Sequence, residues 1–272
     1  MNRCMFARMF IAVLVTAMLS IATVTGRAAD SDIDGVDPAA IEDLVAASRI
    51  LFDQGVLDAF GHVSMRDPRD PNRFLMSRNL APALVTEEDI MVFDVESAEP
   101  VDARGRRVFL ERFIHGAIYK ARPDVNSVVH SHSPSVVPFG IVASVPMRPV
   151  FHMSGFLYAG VPIYDIRDDA GMSNMLISNL DLGRALARKI ADKPVVLMRG
   201  HGNVVVGSSV PMAIYRAVYT EINARLQLQA IALGGPINYL APQEGEKTDA
   251  VIMTQVRRPW ELWKKKAMSE TP

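Results

Sequence analysis

His130 and His132 stand two residues apart at the end of an apolar, β-branched run, Val128-Val129-His130-Ser131-His132-Ser133-Pro134. In an extended strand side chains alternate faces, so both imidazoles point the same way with Cα atoms roughly 7 Å apart. Two nitrogens at that spacing can grip one divalent cation, although two surface histidines would give the same pattern. His201 lies between Gly200 and Gly202. A histidine on such a turn is a natural third ligand, and a hairpin tip in water would present one equally well. Three imidazoles leave a coordination position open, as a catalytic metal requires. Glu111 opens a helical segment just before the histidine strand. If helix and strand are antiparallel neighbours, its carboxylate falls near the same strand end. The helix dipole alone also favours a glutamate there.

The surrounding pattern says which elements would hold these residues. Asp37-Pro38 is an N-cap with proline at the first helical position, and Ile41, Leu44, Val45 and Leu51 follow at helical spacing until Gly55. Strands over 62–65 and 74–76 flank the turn-rich stretch 67–72 and read as a hairpin. Thr86-Glu87-Glu88-Asp89 resembles a capping turn before a strand over 90–93. A helix over about 110–121 would bury Leu110, Ile114, Ala117 and Ile118, and Arg122-Pro123-Asp124 would end it. Further strands are expected at 161–164, 195–198 and 204–206, and helices at 182–190 and about 211–233. On the last helix Glu221 and Arg225 read as a surface i,i+4 pair, with Tyr215 and Tyr219 as packing residues, or with Tyr219 facing the site. The remainder, 241–272, reads as a basic tail with Trp260, Trp263 and a solvated Lys264-Lys265-Lys266 run. Helices and hairpin-linked strands intermix over 38–240 with no boundary. The expectation is α/β: a single layered domain with a central, mainly antiparallel sheet flanked by helices.

Composition narrows the class. The chain has 272 residues, 49% hydrophobic and 22% charged, with a net charge of −1. No clustered basic excess suggests a nucleic-acid partner. Arg3 and Arg8 precede an apolar run reaching Val24, and no acidic residue occurs before Asp30. That is the pattern of a secretory signal over 1–29, cleaved after Ala28 or Ala29, with an uncleaved membrane anchor as the alternative. Residues 30–37 read as an acidic linker. Cleavage removes Arg3, Arg8 and Arg27, so the charge drops by three from −1, to about −4. The single cysteine, Cys4, leaves with the leader, so the mature chain has no thiol for disulfides, zinc or nucleophilic catalysis. The expected destination is export, to the periplasm in a bacterium, without stable membrane association after cleavage.

Several motifs together carry a resemblance. Gly61-His62-Val63-Ser64, Leu110-Glu111-Arg112-Phe113-Ile114-His115, Val129-His130-Ser131-His132 and Gly200-His201-Gly202 occur in the order and spacing of the class II aldolase/adducin family. The resemblance implies one divalent metal per subunit, zinc before manganese, held by His130, His132, His201 and Glu111. It also implies that Glu111, nineteen residues before His130, is the catalytic acid/base. A catalytic tyrosine that the family's aldolases take from a neighbouring subunit corresponds to His152, and a homotetramer is implied. The aldolases' phosphate-holding serine pair is Phe109-Leu110 here, and their Gly-Asn-x-Ser loop is Gly61-His62-Val63-Ser64. Two apolar side chains give a phosphate no donors. Met76-Ser77-Arg78-Asn79-Leu80-Ala81-Pro82 and the Gly-His-Val-Ser motif look more like the family's hydroxy-dicarboxylate decarboxylase branch. Arg78 and Arg112 could then hold a substrate carboxylate, or be surface arginines. His62 and His115 could serve as pocket contacts, with a structural hydrogen bond as the alternative for His115. The implied activity is a metal-dependent carbon–carbon lyase, decarboxylase-like, acting on a small-molecule substrate that is non-phosphorylated and carboxylated. The alternatives are an aldolase on a sugar-type substrate and a non-catalytic adducin-like module.

Overall fold

Alternating strand residues feed two apolar layers in this computed structural model, which describes residue 33 and residues 35–269. The expected leader over 1–29 lies outside the described residues, as does part of the 30–37 linker. The first helix, α1, spans Pro38–Asp53, with the Asp37 carboxylate accepting from the Ala39 amide. Strands β1 (His62–Arg66), β2 (Arg73–Ser77) and β3 (Ile90–Asp94) follow. Next come α2 (Arg112–Ala121), β4 (Ser127–Ser131), α3 (Val137–Ile141) and β5 (Ile163–Tyr164). Helices α4 (Arg167–Ala170) and α5 (Leu180–Ile190) precede the hairpin of β6 (Val195–Met198) and β7 (Gly202–Gly207). The long α6 (Val210–Ala232), α7 (Pro242–Ile252) and α8 (Arg257–Ser269) complete the described chain.

The strands form one sheet in the order β3-β2-β1-β4-β7-β6-β5, antiparallel throughout except between β5 and β6. Val63, Leu75, Val92, Val129 and Val205 face α1 and α6, where they meet Leu44, Leu51, Ile214 and Val218. Their strand neighbours Phe74, Met76, Phe93, Val128 and Val206 face α2 and α5 and pack on Ile114, Ile118, Leu186 and Ile190. The architecture is therefore the expected layered α/β domain, with a helical layer on each side of the sheet. Register places the chemistry. His62 pairs with His130 and Ser64 with Val128 across β1 and β4, so all four residues share the α2/α5 face.

Four local expectations change. Helix α2 starts at Arg112, and Leu110 is 61% exposed in the turn before it rather than part of the buried stripe. The strand expected at 161–164 shortens to Ile163–Tyr164. Glu221 is buried and accepts a hydrogen bond from the Ser135 amide at 3.1 Å, so it is no surface partner of Arg225. Its burial raises its pKa against the pull of that hydrogen bond. The stretch expected as a basic tail carries α7 and α8, and Val256, Trp260 and Ala267, at and along α8, pack into the α1/α6 layer. Lys264 then pairs with Asp43 at 2.6 Å and Lys266 with Asp53 at 2.7 Å instead of trailing in water. Among the described residues, no helix is long and apolar enough to cross a membrane.

Candidate metal centre and substrate pocket

The centre is built at the end of β4. His130 is the penultimate residue of that strand, and its Nδ1 donates to the Asn203 carbonyl on β7 at 3.2 Å. With Nδ1 turned to that carbonyl, Nε2 is the ring nitrogen left for a cation. Nε2 is buried without a hydrogen-bond partner, 3.3 Å from Glu111 Oε2. His201, in the β6–β7 turn, donates from Nδ1 to the Met175 carbonyl at 3.0 Å, so its Nε2 also faces inward. That nitrogen lies 3.1 Å from His132 Nε2 and 3.5 Å from Glu111 Oε2. The four ligand atoms of Glu111, His130, His132 and His201 all lie within 4.8 Å of one another.

This donor set fits a divalent cation. An orphaned buried nitrogen and two imidazole nitrogens turned towards each other are satisfied together by one positive ion. The outer nitrogens of His130 and His201 are each held by a backbone carbonyl, the support that orients metal-binding imidazoles. Three nitrogens and a carboxylate suit zinc, manganese, iron or cobalt alike.

Two glycines let the backbone close around the centre. A Cβ on Gly202 would run into the Ser131 carbonyl. Only a glycine lets β7 start against the strand end that carries His132. Gly61 has φ +88, and a Cβ there would meet Leu57 and the His130 carbonyl.

Protonation follows from the same contacts. Burial raises the Glu111 pKa, but His130 and His201 outweigh it and hold the carboxylate well below its usual range. Oε1 is occupied by the Ile177 amide at 2.9 Å, so Oε2 is the oxygen turned to the imidazoles. Burial and the rings of His130 and His201 press His132 down to about 4. For His201, burial lowers the pKa, yet its contacts with Glu111 overcome this and raise it.

Beside the centre lies an open cavity of about 310 Å³ whose wall includes His62, Phe109, Leu110, Glu111, His130 and His132. The His62 and Phe109 rings are 4.6 Å apart. Other expected contacts fall elsewhere. His115 is fully buried behind His62, with both ring nitrogens engaged, so it does not reach the cavity. Arg78 is paired with Asp89 at 2.6 Å and Arg112 with Glu99. Neither lines this cavity, because each turns to a carboxylate within its own stretch of chain. His152 is exposed and borders a different cavity, with Tyr219, Arg258 and Trp263.

Asn203 escaped the sequence reading. It is 1% exposed, its carbonyl holds His130, and its side-chain Oδ1 accepts from Ser131 Oγ at 2.9 Å. A lone amide inside Gly202-Asn203-Val204-Val205 was the available signal. The Met175 carbonyl and Ile177 amide could not be found that way, since backbone groups carry no residue signature.

Residues 42–228 match the family described as the Class II Aldolase and Adducin N-terminal domain. The chain belongs to this family. It is 39% identical over 247 residues to the decarboxylase tropJ of Talaromyces stipitatus, covering 82% of this chain and 92% of that one. A 3,4-dihydroxyphthalate decarboxylase of Arthrobacter keyseri is 31% identical over 213 residues, 73% of this chain and 82% of the relative. The L-fuculose 1-phosphate aldolase from Glaciozyma antarctica superposes with a TM-score of 0.70 at 24% identity, over 85% of this chain and 91% of that structure. That likeness is one of fold. The His/Glu cluster thus sits within a class II aldolase domain, at the residues the motifs single out.

Proposed function

We propose that this class II aldolase-type chain is a metal-dependent carbon–carbon lyase that decarboxylates a small hydroxylated, non-phosphorylated carboxylic acid. The observation that carries the reading is Glu111. Its Oε2 stands among three imidazoles and on the wall of a cavity whose neighbouring residues, Phe109 and Leu110, are apolar. The named activities of two relatives, both decarboxylases, support the same class.

His130, His132, His201 and Glu111 would hold the metal. When bound, the ion supplies Lewis acidity towards a substrate oxygen. The protein's own groups do the rest. Phe109 offers a flat apolar wall to a ring and keeps water from it. Glu111 takes a proton from the substrate hydroxyl and returns one to the carbon that loses its carboxyl group. The broken bond's electron pair stays on that carbon while carbon dioxide departs. A homo-oligomer is part of the same proposal: His152, which borders a different cavity of its own chain, would serve the centre of a neighbouring subunit. Export of the enzyme follows from reading 1–29 as a cleaved signal, which N-terminal sequencing of the secreted chain checks.

Cleavage of a sugar-type substrate to an aldehyde would use the same proton carrier, but Phe109 and Leu110 favour an unphosphorylated acid. The test is a screen of the zinc- or manganese-loaded protein for carbon dioxide release from hydroxylated di-acids and aldehyde release from sugar phosphates. Carbon dioxide release is expected. Glu111→Gln should lower kcat by about 10²–10⁴-fold while the three histidines retain metal. Full turnover by that variant on an identified substrate would sink the mechanism.

A further inference from the structure

A hydrogen-bonded chain runs from the cavity wall into the core beneath it. His62 Nδ1 meets His115 Nε2 at 2.6 Å, His115 Nδ1 meets Ser64 Oγ at 2.6 Å, and Ser64 Oγ meets the Tyr119 hydroxyl at 2.7 Å. Ser64 and His115 are fully buried and Tyr119 is 1% exposed. Distances alone allow the donors to point either way along such a chain.

The buried end removes that freedom. Among the described residues, the only hydrogen-bond acceptor in reach of the Tyr119 hydroxyl is Ser64 Oγ. Burial raises the phenol's pKa, so it keeps its proton. A buried hydroxyl left without an acceptor is costly, so Tyr119 donates to Ser64. Ser64 then has one proton of its own, which goes to His115 Nδ1. His115 carries its single proton on Nε2 and donates it to His62 Nδ1. Burial, with the ring of His130 nearby, presses His115 down to about 3, so it stays neutral and the sequence of donors holds.

We propose that Tyr119, Ser64 and His115 are positioning residues that lock His62 as its Nε2–H tautomer. The cavity wall then presents a neutral hydrogen-bond donor to a substrate oxygen, either carboxylate or phenolic. His62 lines the cavity while its Nδ1 is engaged below, which leaves Nε2 as the ring nitrogen for a ligand. His62 is itself 6% exposed, so a ligand oxygen bonded there would be largely shielded from competing water. The oxygen-acceptor chemistry of the ligand rests on the decarboxylase reading above. The tautomer does not.

Long-range proton–nitrogen NMR of the zinc-loaded full chain, labelled with ¹⁵N-histidine, reads the tautomers directly. His62→Gln and His115→Gln spectra assign the two rings. Both should appear as Nε2–H forms, and Tyr119→Phe, which removes the directing proton, should convert them wholly or partly to Nδ1–H forms. Finding either ring as Nδ1–H in the wild type, or no change in Tyr119→Phe, would overturn the proposal. Calorimetric titration with 3,4-dihydroxyphthalate tests the donor. His62→Leu should weaken binding about ten-fold or more for the lost hydrogen bond. His62→Gln, which can offer an amide N–H near the same place, should stay within about three-fold of wild type. Equal binding by wild type and His62→Leu rejects the donor role. Failure of the wild type to bind this acid counts against the decarboxylase reading, and the NMR spectrum still decides the tautomer.

Discussion

At the residue scale, the candidate centre sets four side chains in competition for protons and, in the proposed function, for one cation. In the metal-free protein His115 and His132 are held at about 3 and about 4, below the ordinary 6.5 of histidine, chiefly by burial. Between those values and 6.5 the unfolded chain binds more protons than the folded one, so stability falls as pH drops through that window. Glu111, held low, acts in the same direction as pH falls below its ordinary 4.5. His201 is raised and acts oppositely, favouring the folded state below 6.5 and losing that contribution as pH rises through its folded pKa. Metal-free protein should therefore show a urea midpoint that declines steadily from pH 6.5 to pH 4. Metal affinity should be weaker at pH 6 than at pH 8, because the ion must displace the proton that Glu111 favours on His201. A competition titration against a chromophoric chelator at the two pH values checks this.

At the element scale, the site depends on how closely two strand ends and one turn approach. Gly202 is the tightest point, where a side chain would overlap the Ser131 carbonyl beside His132. Gly202→Ala should push β7 away from β4 and separate His201 from His132. Expected effects are about 1–3 kcal/mol of lost stability, the usual cost of overpacking, and a metal affinity at least about ten-fold weaker. Denaturant unfolding and calorimetry on the same sample read both, and an unchanged metal affinity would show that the turn absorbs the strain. The late start of α2 belongs to the same geometry. A helix beginning at Leu110 would commit Glu111 to its first turn, whereas the turn at Leu110-Glu111 lets the carboxylate reach both the Ile177 amide and the imidazoles.

At the scale of the whole molecule, the sheet separates chemistry from support. The histidine cluster lies on the α2/α5 side, while α8 packs into the α1/α6 layer. Trp260 is 6% exposed, and removing a buried tryptophan side chain typically costs about 3–5 kcal/mol. Trp260→Ala should therefore lower the denaturation midpoint strongly while the folded fraction still binds one metal per chain. Loss of metal stoichiometry in folded Trp260→Ala protein would show that the two layers are not independent.

Much was legible along the chain because it rests on local rules. Continuous apolar runs marked strands covered on both faces, Asp37-Pro38 announced α1, and His130-x-His132 with Gly200-His201-Gly202 announced the candidate ligands. What each polar side chain touches was not legible, because that depends on register and on backbone groups far away in sequence. His115 carried the same residue signal as His62 but lies behind it, and Arg78 and Arg112 turned to Asp89 and Glu99. Asn203 on β7 and the Met175 carbonyl and Ile177 amide in the loop before α5 orient the candidate centre from two separate segments. The amino-acid sequence by itself determined the residue types able to bind a metal and the layers able to bury a core. Only the tertiary structure decided which nitrogen of His130 and His201 faces the cluster, because that depends on the backbone carbonyl folded against each ring.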